Sequence, residues 1–413
     1  MIEKRKIGFT GPFADVNFGD YAMVVNNIYD LEISDIVLFS YDSPFLNTIK
    51  KDYLSNFNIN IVDVKFKDKF NIAEESKTRI LTPIDILHNL LNYDEIASVM
   101  SDLDVLVVNG GGYFNSLWSM PHRIERLLKI IAPILVANNL NKRVVFTGNS
   151  YGPFTDDAEF FGCTFNALKN SVIGSRDNLL SPMWASQIGI DKDRIEFIPD
   201  DFFIVNEKLI NKDLRRPIKL ERYIVMETFL PIDFIKKNIQ LFKKFSHNIH
   251  QKFGLSILFL PFNLKHGGMD QALYFESTLS NYTYFDIDSI GYLPIEDATE
   301  LIKKAELVIS SRYHALVVAL SVETPIVSVL KDVLGDKRYY YNKNLGMLNQ
   351  ALNGIDFDER DYLRLDYLEA LDFISEHFEH ITRVQRNNYN YLYEKNMEKL
   401  KQKRKSFLDR NIK

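Results

Sequence analysis

The stretch Asp102-Leu-Asp-Val-Leu-Val-Val-Asn-Gly-Gly-Gly-Tyr-Phe114 decides how the whole chain is read. It is an apolar strand, Asp102–Val108, that runs directly into three glycines. Val105–Val108 has no polar face, so such a strand must be covered on both sides. That is the condition of a parallel sheet sandwiched between helices. Asn109-Gly-Gly-Gly112 then leaves the sheet as a loop with unobstructed backbone amides, a concavity that suits an anion. A tight strand-to-helix turn would use the same glycines.

Outward from this strand the pattern repeats. Lys6–Thr10, Ile36–Ser40 and Ile59–Val64 precede it as strands, with a helix over Asp20–Leu31. A helix over Arg123–Asn139 follows, then strands Arg143–Thr147, Ser171–Ser175 and Glu196–Ile198. Lys208–Arg222 is charged, poor in apolar residues and contains Pro217, which marks a linker. The alternation then restarts. Strands are expected at Tyr223–Thr228, Leu255–Leu260, Tyr284–Asp286, Leu307–Ile309 and Pro325–Val329. Helices are expected at Pro231–Phe253, Pro294–Ala305 and Ala315–Leu320, and Asp361–Lys405 has helical periodicity. The expected fold class is α/β: two doubly wound parallel-sheet domains, residues 1–212 and 218–345, facing across a cleft. A helical tail, 346–413, is expected to pack back across them. In such sheets ligands bind beyond the carboxyl ends of the strands, so the chemistry should lie in the loops that follow them.

Length and charge agree with this. The chain has 413 residues, 50 Lys+Arg against 55 Asp+Glu and a formal charge of −5. That length gives room for two domains, and the near-balance excludes the basic excess of a dedicated nucleic-acid binder. The single cysteine, Cys163, forms no internal disulfide and builds no zinc site. No metal-ligand spacing and no cofactor motif is present, so neither metal nor cofactor is expected. The apolar run Ile130–Ala137, interrupted by Pro133, is far short of the about 20 residues of a membrane span. Met1–Phe9 lacks the apolar core of a signal peptide, so the expected location is cytoplasmic, either free or at the inner face of a membrane. The basic run at Lys401, Lys403, Arg404 and Lys405 reads as a solvated tail or a peripheral contact with anionic lipid.

Six strand exits carry candidate chemistry. Asn17-Phe-Gly19-Asp20 combines a glycine that permits close approach with an acid at a helix start, or it is a plain turn and cap. Gly110, Gly111 and Gly112 form the second exit. Gly148-Asn149-Ser150-Tyr-Gly-Pro153 forms the third, on the same edge. Ser175-Arg176-Asp177 offers a planar guanidinium to a carboxylate or phosphate, or a structural ion pair. Pro199-Asp200-Asp201 offers two carboxylates to a sugar hydroxyl, or as a base, or ends a strand. Ser310-Ser311-Arg312-Tyr-His314-Ala315 is the strongest: a cation for an anion and a histidine able to exchange protons near neutral pH, both at a helix start. His266, in Lys265-His-Gly-Gly268, is a further cleft candidate. Tyr113, Phe114, Trp118 and Tyr151 are able to stack on a sugar or to fill the core.

In this order the motifs resemble the polysaccharide pyruvyl transferase family. Its pattern has Asn-x-Gly-Asp after the first strand, Gly-Gly-Gly, a Gly-Gln-Ser-x-Gly-Pro-like loop, Arg-Asp, an Asp-Pro-like turn and Arg-x-His-Ala. The resemblance spans about residues 7–330. It implies a GT-B-like fold and transfer of a pyruvyl group from phosphoenolpyruvate to a sugar acceptor, lipid-linked, nucleotide-linked or polymeric, with release of phosphate and formation of a ketal. The products belong to cell wall, capsule or exopolysaccharide. Arg312 and His314, and with less support Arg176, inherit the role of holding phosphoenolpyruvate, with Ser311 and His266 beside them. His314 is the expected acid or phosphate partner. Asp20, Asp200 and Asp201 are the candidates for the base. Asn149 departs from the usual Gln, and Met226-Glu227-Thr228 stands where a basic residue is common. Two alternatives therefore accompany this assignment: a GT-B glycosyltransferase using a nucleotide sugar, and a non-catalytic sugar-binding protein on the same scaffold.

Overall fold

The computed structural model describes residues 5–14, 16–264, 268–333 and 335–413. The chain forms two compact units. One comprises residues up to 15, 20–201 and 400–413; the other comprises 16–19 and 202–399.

The first unit is built on strands β1 (Lys6–Thr10), β2 (Asp35–Ser40), β3 (Asn58–Asp63), β4 (Val105–Val108), β5 (Gly111–Phe114), β6 (Arg143–Tyr151), β7 (Ser171–Ser175) and β8 (Ile195–Phe197). Their order is β3-β2-β1-β4-β6-β7-β8, with β5 beside β6. All pairs are parallel. The four central residues Val105–Val108 are buried, as an apolar strand covered on both faces must be. The helix Ile124–Asn139 packs on this sheet, and Ile130–Ala137 is buried without a break. Each fully buried aliphatic side chain there contributes about 1.5–3 kcal/mol. Thr10 Oγ1 fastens the helix to β1 by donating to the Ile130 carbonyl at 2.9 Å.

Two expected loops are strand. Gly111–Phe114 pairs with β6, and β6 continues through Gly148-Asn-Ser-Tyr151. The glycines therefore admit a close backbone approach within the sheet rather than opening a free loop. Between β3 and β4 lies an insert of three short helices, Ile72–Thr78, Pro83–His88 and Tyr93–Ser101.

The second unit contains β9 (Tyr223–Met226), β10 (Ser256–Phe259), β11 (Tyr282–Tyr284), β12 (Leu307–Ser310), β13 (Ile326–Val329) and β14 (Leu363–Arg364). Their order is β11-β10-β9-β12-β13-β14, all parallel. The expected helix Pro231–Phe253 is two helices, Ile232–Lys237 and Ile239–Phe253. Residues 202–212, expected with the first domain, belong to this unit, as do 213–216 after them. The Arg215 and Arg216 amides donate to Asp297 at 3.1 and 3.0 Å, and Arg215 Nε reaches Glu296 at 2.8 Å. The final helix, Tyr391–Asn411, starts in the second unit, and its residues from Leu400 onward belong to the first. No helix among the described residues is long and apolar enough to cross a membrane.

Candidate functional site

In the second unit the strand order reverses between β9 and β12. A sheet of this kind opens a crevice at that switch point, beyond the carboxyl ends of the two strands. Glu227 leaves β9 there and is fully buried. Its Oε2 accepts from Ser310 Oγ at 2.8 Å and from the Ser311 amide at 3.1 Å. Its Oε1 accepts from Arg312 Nε at 3.1 Å. The Tyr367 hydroxyl donates to the Glu227 carbonyl at 2.8 Å, and burial together with the Glu227 charge pushes that phenol up. Arg312 is thus fixed by a carboxylate from the neighbouring strand. Ser311 Oγ accepts from the Phe229 amide at 2.9 Å, and the Arg312 guanidinium lies 4.4 Å from the Phe229 ring centre.

His314 stands in the first turn of the helix Tyr313–Ser321. Its imidazole packs on Gly19, where a Cβ would come 1.7 Å from Nδ1. Gly19 and His314 belong to the same unit, so the first and last motifs of the sequence meet. Phe18 anchors this segment. Its amide donates to the Phe262 carbonyl at 3.0 Å, and its ring meets Phe262 and Phe202 edge-on at 5.1 and 5.5 Å. Asn17 precedes it, half-buried.

In the first unit the order reverses between β1 and β4, and the exits there converge on Asp201. That carboxylate is fully buried and accepts from five donors. They are Asn27 Nδ2 and the Gly110 amide at 2.8 Å, the Thr147 hydroxyl, the Gly148 amide at 3.2 Å and Arg404 Nη1 at 2.9 Å. Gly110 is glycine because a Cβ would come 2.5 Å from Asp201 Oδ2. Arg404 also reaches Asp30 through Nε at 2.9 Å. Its burial opposes the charge, but Asp30 and Asp201 outweigh that and hold it protonated. Arg404 therefore turns inward from a run otherwise exposed at Lys401, Lys403 and Lys405, which corrects its expected place in a solvated tail.

Arg176 is 2% exposed and donates to Asp200 at 2.6 Å through Nη1 and to Ser150 Oγ at 2.8 Å through Nε. It stands in a buried ion pair with Asp200. Asn149 is buried beside it; its Nδ2 donates to the Val108 and Thr147 carbonyls at 3.3 Å, and its Oδ1 has no hydrogen-bond partner among the described residues. Gly111 and Gly112 lie in β5. Asp20 sits in the first turn of the helix Phe18–Leu31 and is half-buried. Burial raises the Tyr113 phenol, and the charges of Tyr151, Asp201 and Asp20 add to it. Tyr113, Phe114 and Tyr151 are core: each is at most 1% exposed, and Phe114 stacks on Tyr151 at 6.0 Å. Trp118 alone of the four aromatics retains partial exposure. His266 lies outside the described residues. Among them, no group of three or more His, Cys, Asp or Glu is placed to hold a metal ion. Sequence reasoning missed the clamp on Arg312 and the inward turn of Arg404, since both partners of each are far apart in the chain.

Comparison with known proteins bears on the same span. The family model described as polysaccharide pyruvyl transferase matches residues 17–330. No curated protein matches the chain. Among solved structures it is similar to the UDP-GlcNAc 2-epimerase from Neisseria meningitidis bound to UDP-GlcNAc, with a TM-score of 0.55 at 12% identity, over 92% of this chain and 94% of that one. It is similar to Anabaena Alr3699/HepE in complex with UDP, with a TM-score of 0.55 at 9% identity, over 98% and 99%. The spinosyn rhamnosyltransferase SpnG gives 0.55 at 11% identity, over 98% of each chain. At these identities the likeness establishes a GT-B-like fold.

Proposed function

The chain belongs to the polysaccharide pyruvyl transferase family, and from that premise we propose that this transferase moves a pyruvyl group from phosphoenolpyruvate to a sugar of a cell-surface polysaccharide or its precursor. The observation that carries the proposal is the packing of His314 on Gly19, two residues from an Arg312 that Glu227 holds in place. Those groups supply a cation and a proton carrier at one strand exit.

Each has a step. Arg312 and Ser311 hold the anionic donor, because a guanidinium binds carboxylate or phosphate through a planar fork. His314 gives a proton to the enol methylene, which becomes a methyl group and leaves a cationic carbon bearing the phosphate. A sugar hydroxyl adds to that carbon. The bond to the phosphate oxygen then breaks, and a second hydroxyl adds to close the ketal. As each hydroxyl adds, its proton goes to the base; one proton is then passed on to restore His314 and the other leaves with phosphate. Asp20 is the assigned base. Asp200 and Asp201 are assigned to structure, because Arg176 and Arg404 engage their carboxylates.

A phosphoenolpyruvate-dependent phosphate-release assay tests this. His314→Ala should lower turnover about 10²- to 10⁴-fold, the usual contribution of a positioned acid. Full turnover by the variant would remove His314 from the mechanism. A nucleotide sugar is the second donor, favoured by one observation: Glu227 offsets the charge of Arg312. Thermal-shift titration separates the two, since a ligand at a hundred times its dissociation constant adds about 2.7 kcal/mol of stability. Stabilisation by a nucleotide sugar alone would reverse the ranking.

A further inference from the structure

Phosphoenolpyruvate presents a carboxylate and a phosphate of roughly two negative charges. Arg312 spends its Nε on Glu227, and that pair is neutral as a unit. The donor's charge therefore has to be met by other cations at the same edge of the sheet, and two lysines stand there. Lys331 follows β13, the neighbour of β12, and its ammonium lies 3.2 Å from the centre of the Phe229 ring that Arg312 also touches at 4.4 Å. Lys343, in the helix Arg338–Ala351, is 8% exposed. Its ammonium lies 4.9 Å from the Tyr313 ring, 4.6 Å from Tyr339 and 4.2 Å from Tyr340. Lys331 shares the Tyr340 ring at 5.4 Å. Two aromatic rings thus chain three cations together around the residue between Arg312 and His314. Aromatic faces stabilise an ammonium by their quadrupole and tolerate it in a partly desolvated place.

We infer that Lys331 and Lys343 are donor-binding residues that supply the positive charge for the phosphate of phosphoenolpyruvate. The inference rests on the pyruvyl-transfer proposal. A flexible lysine suits this task, as a compact point charge on a stem that follows the phosphate as it departs. It also explains how a chain with Met226-Glu227-Thr228 after β9 retains an anionic donor.

The test is calorimetric binding of phosphoenolpyruvate to the full chain and to Lys331→Met, Lys343→Met and the two lysine-to-arginine variants, with a melting curve for each. The methionine variants should melt as the parent does and bind phosphoenolpyruvate at least tenfold more weakly, and arginine should restore most of the affinity. Methionine variants that fold and bind as tightly as the parent overturn the inference and leave the pyruvyl-transfer proposal intact. If Lys343→Met fails to fold, Lys331→Met alone decides. A parent chain that binds no phosphoenolpyruvate but does bind a nucleotide sugar overturns the proposal itself, and the inference with it.

Discussion

The imidazole of His314 occupies the space in which a side chain at residue 19 would stand, 1.7 Å from the position of a Cβ. Gly19→Ala therefore forces either the ring or the start of the Phe18–Leu31 helix to move. Overpacking of this kind costs about 1–3 kcal/mol. The variant should melt lower and should lose at least tenfold in phosphate release, since an acid displaced by an ångström transfers its proton poorly. Unchanged turnover would show that His314 does not act from this position.

Glu227→Gln keeps an acceptor for Ser310 and Ser311 but removes a charge beside Arg312. Stability should fall by about 1–3 kcal/mol, as for a weakened buried hydrogen bond to a charged group. Affinity for an anionic donor should rise, roughly three- to tenfold, because the field at Arg312 becomes more positive. Calorimetric titration with phosphoenolpyruvate reads the change, and a fall in affinity would mean that Glu227 orients Arg312 more than it opposes the donor.

Arg404→Met removes the cation shared by Asp30 and Asp201. Breaking a buried ion pair from one side costs about 3–5 kcal/mol, because the remaining carboxylates stay desolvated. Denaturant unfolding should show that loss. A loss below about 1 kcal/mol would mean that water or Asn27 replaces the guanidinium. Arg404→Lys should recover part of the loss, through charge without the fork.

Asp85 gives a pH-dependent prediction. Burial pushes its carboxyl up, but bonds from Arg79 and Thr82 outweigh this and hold it down at about 2. A folded value below the unfolded one adds stability that is complete above the ordinary carboxylate range and is lost as pH falls towards 2. Asp85→Asn should therefore cost stability at pH 7, about 1 kcal/mol as for a lost cap. The difference from the parent should shrink as pH falls towards 2 and vanish below it. An equal difference at both pH values would assign the cost to packing instead.

The strands were legible because Val105–Val108, Leu307–Ser310 and their neighbours are apolar runs that only a covered sheet can bury. Gly111–Phe114 was not legible as strand, since glycine carries no hydrophobic pattern and its pairing with β6 depends on where β4 stops. The insert Ile72–Ser101 was missed because its helices, of seven, six and nine residues, are too short to show a helical period. At the site, Arg312 and His314 stood out as a cation and a titratable ring at a helix start. Lys331 and Lys343 did not, because neither shares a motif with Arg312 and only the fold brings them to the same rings. Tyr113, Phe114 and Tyr151 show the converse: a residue type suited to sugar stacking serves the core when the strand that carries it is central.

The bond from Arg404 to Asp201 spans 203 residues. During synthesis the first sheet emerges whole while its central carboxylate still lacks a counter-charge, and it keeps that deficit until the second unit has also been made. The nascent first unit is therefore a fold awaiting its keystone. Its completion reports that translation has passed residue 404.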